Sequence, residues 1–136
     1  TQGDATMPLD AASMPSLAPA VVPGLTTVSR IYCGRRVPAQ HVDATRPAEV
    51  TDHEVRCFVA EVVAKRFPDG FTVMHGQGGW TDMATGLPIR EPSIVVEVMH
   101  GPAQAADVQA VAQEWKRRFR QDAVMVASAP VNVAFV

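Results

Sequence analysis

Residues Phe67–His100 read FPDGFTVMHGQGGWTDMATGLPIREPSIVVEVMH, and the reading of this stretch decides the fold. Pro68-Asp69-Gly70 is turn chemistry, with a fixed φ followed by two residues that tolerate a reversal. After it, Phe71 to His75 reads as one strand, and the almost continuously apolar Ile94 to Met99 as another. Gly76, Gly78, Gly79, Gly86 and Pro88 lie between them. That content predicts a long, irregular hairpin connection, not a two-residue turn. Gly101-Pro102 then stops the apolar strand.

Working outward, TTVSRIYC has β-branched and aromatic enrichment with period two, which predicts a strand over Thr27–Cys33. Gly34 to Val50 has two prolines and no period, so it reads as a long loop. Thr51-Asp-His-Glu54 is a capping box, in which the threonine hydroxyl and the glutamate carboxylate satisfy each other's backbone amides. Val55, Phe58, Val59, Val62 and Phe67 follow at helical spacing, giving an amphipathic helix to about Arg66. Beyond Gly101 a second helix is expected from about Ala103 to Gln121, with Val108, Val111, Ala112, Trp115 and Phe119 on its apolar face. A last strand spans Ala123–Ala127 and Val131–Phe135, bent or interrupted at Pro130. The order β-α-β-β-α-β is the split pattern of the ferredoxin-like α+β fold. It predicts a four-stranded antiparallel sheet with both helices on one face. The other face must then be exposed, paired with a second copy or covered by a partner.

Two segments are implied, an extended arm over residues 1–25 and a folded domain over 26–136. The arm holds Pro8, Pro15, Pro19 and Pro23, many alanines, no aromatics, and only Asp4 and Asp10 as charges. Prolines at that spacing interrupt a helix and remove donors that a sheet needs, so polyproline II is the expected conformation. Met7, Leu9, Met14, Leu17, Val21 and Val22 are its apolar anchors for docking on a partner or on the chain itself.

With 136 residues there is room for one domain with a core of ordinary size. Apolar content of 47% with 19% charged residues is globular composition, and a net charge of −2 leaves no basic footprint for nucleic acid. No apolar run approaches the ~18 residues that span a bilayer. The chain starts at Thr1, which fits removal of an export signal or a trimmed terminus. Cys33 and Cys57 are an even pair that an oxidising compartment would allow to bond, and sequence leaves that pairing open.

No stretch carries a recognised catalytic pattern. Gly76-Gln-Gly-Gly79-Trp80 lacks the following helix and the Lys-Ser/Thr of a phosphate loop, so it reads as turn or bulge geometry. The four histidines show no metal-ligand spacing. Tyr32, His75, Arg90 and Glu97 are the candidates for a ligand or enzyme site on an open sheet face, because acid–base chemistry needs such groups to converge. Lys116, Arg117, Arg118 and Arg120 form a basic run at a helix C-terminus, where they complement the dipole, with Arg118 in reach of Glu114.

From about Arg30 onward the chain resembles a family of exported bacterial proteins defined only as a domain of unknown function. The matching residues are Ile31-Tyr32-Cys33-Gly34, Val62-Val63, Arg66-Phe67-Pro68-Asp69-Gly70-Phe71-Thr72-Val73, Gln77-Gly78 with Trp80, Ile89-Arg90-Glu91-Pro92-Ser93 and Pro130-Val131-Asn132-Val133. Cys33, where the pattern has Phe, and the N-terminal arm depart from it. More narrowly, the size, the cleaved-looking start and the arm are similar to the small third subunit of the membrane-bound quinohaemoprotein alcohol dehydrogenases of acetic acid bacteria. That resemblance implies an exported, periplasmic, non-catalytic accessory subunit without a cofactor. It would dock on the larger subunits of a membrane-associated oxidoreductase and stabilise them. The alternative is a stand-alone small-molecule-binding protein or enzyme using the open sheet face.

Overall fold

The computed structural model describes residues 20–136. Strand β1 spans Thr27–Gly34 and is followed by a loop with a short 3-10 turn at Ala39–His41. Helix α1 begins at Asp52–Phe58, passes through a π-helical turn at Val59–Val63 and ends with Ala64–Arg66. Its start is the expected capping box: the Thr51 hydroxyl accepts from the Glu54 amide at 3.1 Å, and the Glu54 carboxylate accepts from the Thr51 amide at 3.0 Å. Strand β2, Thr72–Thr81, and strand β3, Pro88–His100, form the hairpin. A 3-10 turn at Pro102–Gln104 leads into helix α2, Ala105–Arg118, and strand β4 covers Met125–Pro130.

All four strands pair antiparallel in the order β2-β3-β1-β4. The α+β architecture with a four-stranded antiparallel sheet and two helices is therefore as the sequence implies. Register sorts the side chains onto two faces, because directly paired residues share a face. On one face the Ile31–Val96, Cys33–Ile94 and Ser29–Val98 pairs meet the helices. Val55, Phe58 and Val63 of α1 and Val111 and Trp115 of α2 close that core, with Phe119 just beyond α2. Trp115 is fully buried, stands edge-on to Phe58 at 4.9 Å, and donates its indole N–H to the Gly34 carbonyl at 3.0 Å. A buried indole thus gains both its area and its one hydrogen bond.

The hairpin differs from its expected form. The glycine-rich segment is not a loop: β2 and β3 stay paired from Thr72–Glu97 out to Thr81–Pro88. Glycine weakens a strand only modestly when its backbone is extended and its partner strand is continuous. β1 reaches no further along β3 than the Gly34–Ser93 pair. The five pairs from Gln77–Pro92 to Thr81–Pro88 therefore form a two-stranded ribbon projecting beyond the sheet, about 17 Å long at 3.4 Å per residue. The Arg35 amide donates to the Pro92 carbonyl at 2.9 Å and the Arg36 guanidinium to the Arg90 carbonyl at 2.9 Å, anchoring the ribbon's base. No described helix is long and apolar enough to cross a membrane.

Candidate functional site

Tyr32, His75, Arg90 and Glu97 do not converge. Tyr32 pairs with Val95, and Glu97 with Arg30 and Thr72, so both lie on the face turned away from the helices. His75 pairs with Ile94 and Arg90 with Gly79, which puts them on the opposite face, with Arg90 out on the ribbon. A four-membered site is thereby corrected to two separate pairs. The reason is parity, since His75 and Arg90 stand an odd number of register steps from Glu97.

Around Glu97 a smaller site is assembled. Its Oε2 accepts from the Arg30 guanidinium at 2.7 Å across the β1–β3 ladder. The hydrogen bond to Glu97 and the negative charge of that carboxylate raise the Arg30 pKa above its ordinary value. Among the described residues Oε1 of Glu97 has no hydrogen-bond partner, so one carboxylate oxygen is held and the other is available. Beside Glu97 lies a hollow of about 310 Å³. Phe71 lines it from just before β2 and Thr72 from the start of β2, Met99 from β3, and Val133 and Phe135 from the C-terminal tail, with Asp69 and Gln104 as further polar groups. The tail is positioned there by the Val131 amide donating to Thr26 at 3.0 Å, and by Val133 accepting from Val22 at 2.7 Å. Arg30, Phe71, Gln104 and Phe135 are members that sequence reasoning missed. Alternation along β1 puts Arg30 on the Tyr32 face, but nothing local shows that Leu25 and the C-terminal tail meet the hairpin.

A larger groove of about 780 Å³ runs between the helices, past Glu61, Lys65, Arg66, Asp107 and Glu114. It is open to solvent, and most of its charges face each other: Arg66–Asp107 at 2.9 Å, Arg118–Glu61 at 2.8 Å. Its polar groups are largely satisfied, so the smaller apolar hollow is the better candidate despite its size. The basic run at the end of α2 is similarly engaged, with Arg117 and Arg118 on Glu114 and Arg120 on Asp43 at 2.9 Å.

The cysteines do not pair, and both are free thiols. Cys33 points into the core, where burial pushes its thiol up to about 12. Cys57 is half-buried on α1 with its sulfur 3.4 Å from His53 Nε2. Of the arm's apolar residues, Val21 bridges to Ala134 and Val22 bonds to Val133, so both engage the chain's own tail. Met7, Leu9, Met14 and Leu17 lie outside the described residues.

A family model, "Protein of unknown function (DUF3574)", matches residues 29–135. The chain belongs to this family. No curated protein matches it by sequence. Two solved structures resemble it in fold. A phage SAM lyase in complex with S-methyl-5′-thioadenosine has a TM-score of 0.58 and 18% identity, covering 85% of this chain and 95% of that one. A phage SAM lyase in the apo state has a TM-score of 0.53 and 16% identity, covering 87% and 97%. At such identities the likeness is one of fold. The expectation of a non-catalytic chain is corrected as far as the fold goes, because the fold is one that an enzyme uses.

Proposed function

We propose that this DUF3574 protein binds a small molecule in the hollow beside Glu97, as a stand-alone binding protein or enzyme. The observation that carries this reading is a pocket of ligand size with largely apolar walls, in which the half-engaged carboxylate of Glu97 stands with Asp69 as a second acid. The ligand class proposed is a nucleoside thioether of the S-methyl-5′-thioadenosine kind. A carboxylate is a suitable acceptor for ribose hydroxyls, and Phe71, Met99 and Phe135 offer apolar contact for a flat base. The name of the ligand in the neighbouring lyase structure supports the choice. We further read the β-α-β-β-α-β order as ferredoxin-like. Kinship with the third subunit of the alcohol dehydrogenases, with periplasmic location and docking on a larger oxidoreductase, is a second proposal. It rests on the arm and on size alone, and no observed contact favours it.

Isothermal titration of the full chain with S-methyl-5′-thioadenosine and with S-adenosylmethionine tests the reading. Saturable binding of at least one, weakened tenfold or more by Glu97→Ala, is the expected result. If neither ligand binds, the nucleoside class is wrong. Should Glu97→Ala bind as well as the parent, the site lies elsewhere.

A further inference from the structure

On the sheet face opposite the helices the C-terminal tail borders the end around Thr72, Glu97 and Met99, where Val28 is buried, and the rest of the face is uncovered among the described residues. Register places Met74, Trp80 and Met125 on it, and these are 40%, 56% and 62% exposed. Tyr32, Val95 and Ile89 lie on the same face, half-buried. Along β4, beyond Met125, the face shows Ala127 and Ala129, small enough to let another layer approach. Of the central charges, Arg30 is paired with one oxygen of Glu97 at 2.7 Å. Glu91 also belongs to this face; it folds back over Gly34 and has no ion pair among the described residues. Trp80 and Ile89 pair across the ribbon and extend the same apolar surface beyond the body.

We infer that a second copy of this chain covers this face, the two sheets stacking about a two-fold axis. A two-fold interface demands a patch that meets itself. This patch is apolar, and its central ion pair is neutralised within one copy, so stacking sets few like charges against each other. The strands, 8, 10, 13 and 6 residues long with the ribbon included, present roughly 600 Å² per copy at about 3.4 Å per residue and 4.8 Å between strands. A standard interface takes about 800 Å² from each partner. Sheets packed about 10 Å apart leave room for methionine and tyrosine side chains to interdigitate, as in a sandwich. The helices already cover the other face, so this is where the fold has apolar sheet left to bury. The dimer does not depend on the nucleoside reading, since its readout is mass and not ligand binding.

Sedimentation equilibrium of the full chain, from micromolar to hundreds of micromolar, tests the inference. A reversible dimer of twice the 14.6 kDa chain mass is expected. Met74→Glu combined with Met125→Glu places four carboxylates in the buried apolar interface, two from each copy, and should weaken dimerisation about 100-fold or more. Lys116→Glu, exposed on α2 on the helix side, should leave the mass unchanged. As a check that needs no variant, hydroxyl-radical oxidation of Met74, Trp80 and Met125 should fall severalfold as the dimer fills. A monomer at every concentration overturns the inference, whether residues 1–19 cover the face or nothing does. A dimer unaffected by the glutamates, or oxidation that does not change with concentration, overturns it equally.

Discussion

Glu54 serves two structures at once. One oxygen accepts from the Thr51 amide to start α1, and both oxygens take the Arg46 guanidinium, at 2.6 and 2.8 Å. Arg46 is 6% exposed and also lies 5.6 Å over the Phe119 ring, so it is a charge held close to the core. The Arg46 hydrogen bond is the main cause that brings the Glu54 pKa from 4.5 down to about 2. A carboxylate depressed in the folded state stabilises the protein above its unfolded pKa and loses that contribution as pH falls through the folded value. Stability should therefore decline between about pH 4.5 and 2, and Glu54→Ala should flatten that part of the acid-denaturation curve. At neutral pH the same variant should cost about 2–3 kcal/mol in urea melts, combining a lost cap with an orphaned, mostly buried guanidinium. The capping box was legible because it is local. Arg46 was not, since it lies in a loop without period and meets Glu54 only after the loop folds back. The thiols divide similarly: a maleimide should label Cys57 in the native protein and Cys33 only on unfolding, read by mass. Rapid native labelling of Cys33 would contradict its place in the core.

Among the elements, the hairpin departs most from its sequence reading. Propensity reasoning treats glycines and a proline as breakers, yet β2 and β3 run paired through them because each strand templates the other. An isolated two-stranded ribbon is marginal in water. In dilute solution its amides, such as Gly79 and Ile89, should exchange with solvent far faster than those of Ile31 and Val96 in the body. Equal protection would mean that something covers the ribbon even in the monomer. A second element-level constraint lies where β3 ends. A Cβ on Gly101 would stand 2.5 Å from the Gly24 carbonyl oxygen, which is backbone and cannot rotate away. Gly101→Ala should destabilise by about 1–3 kcal/mol, the range for forced overpacking, and should loosen the N-terminal approach that also holds the tail. An unchanged melting temperature would show that this approach is soft.

On the scale of the whole molecule, one core joins both helices to one sheet face, and Trp115 is its centre, against Phe58 and Phe119. Trp115→Ala should cost about 3–5 kcal/mol by cavity formation and should also orphan the Gly34 carbonyl. Periodicity alone determined the order of elements, the apolar faces of α1 and α2 and the start of α1, because each depends on neighbours within a few residues. Only the tertiary structure decided which polar residues share a face, since one step of strand register reverses every side chain. It separated His75 and Arg90 from Glu97, joined Glu97 to Arg30, and left Cys33 and Cys57 unpaired. It also carried Leu25 and the C-terminal tail to the hairpin, making a pocket from residues as distant as Phe71 and Phe135. Such contacts are long-range closures of the chain, and no local pattern encodes where they land.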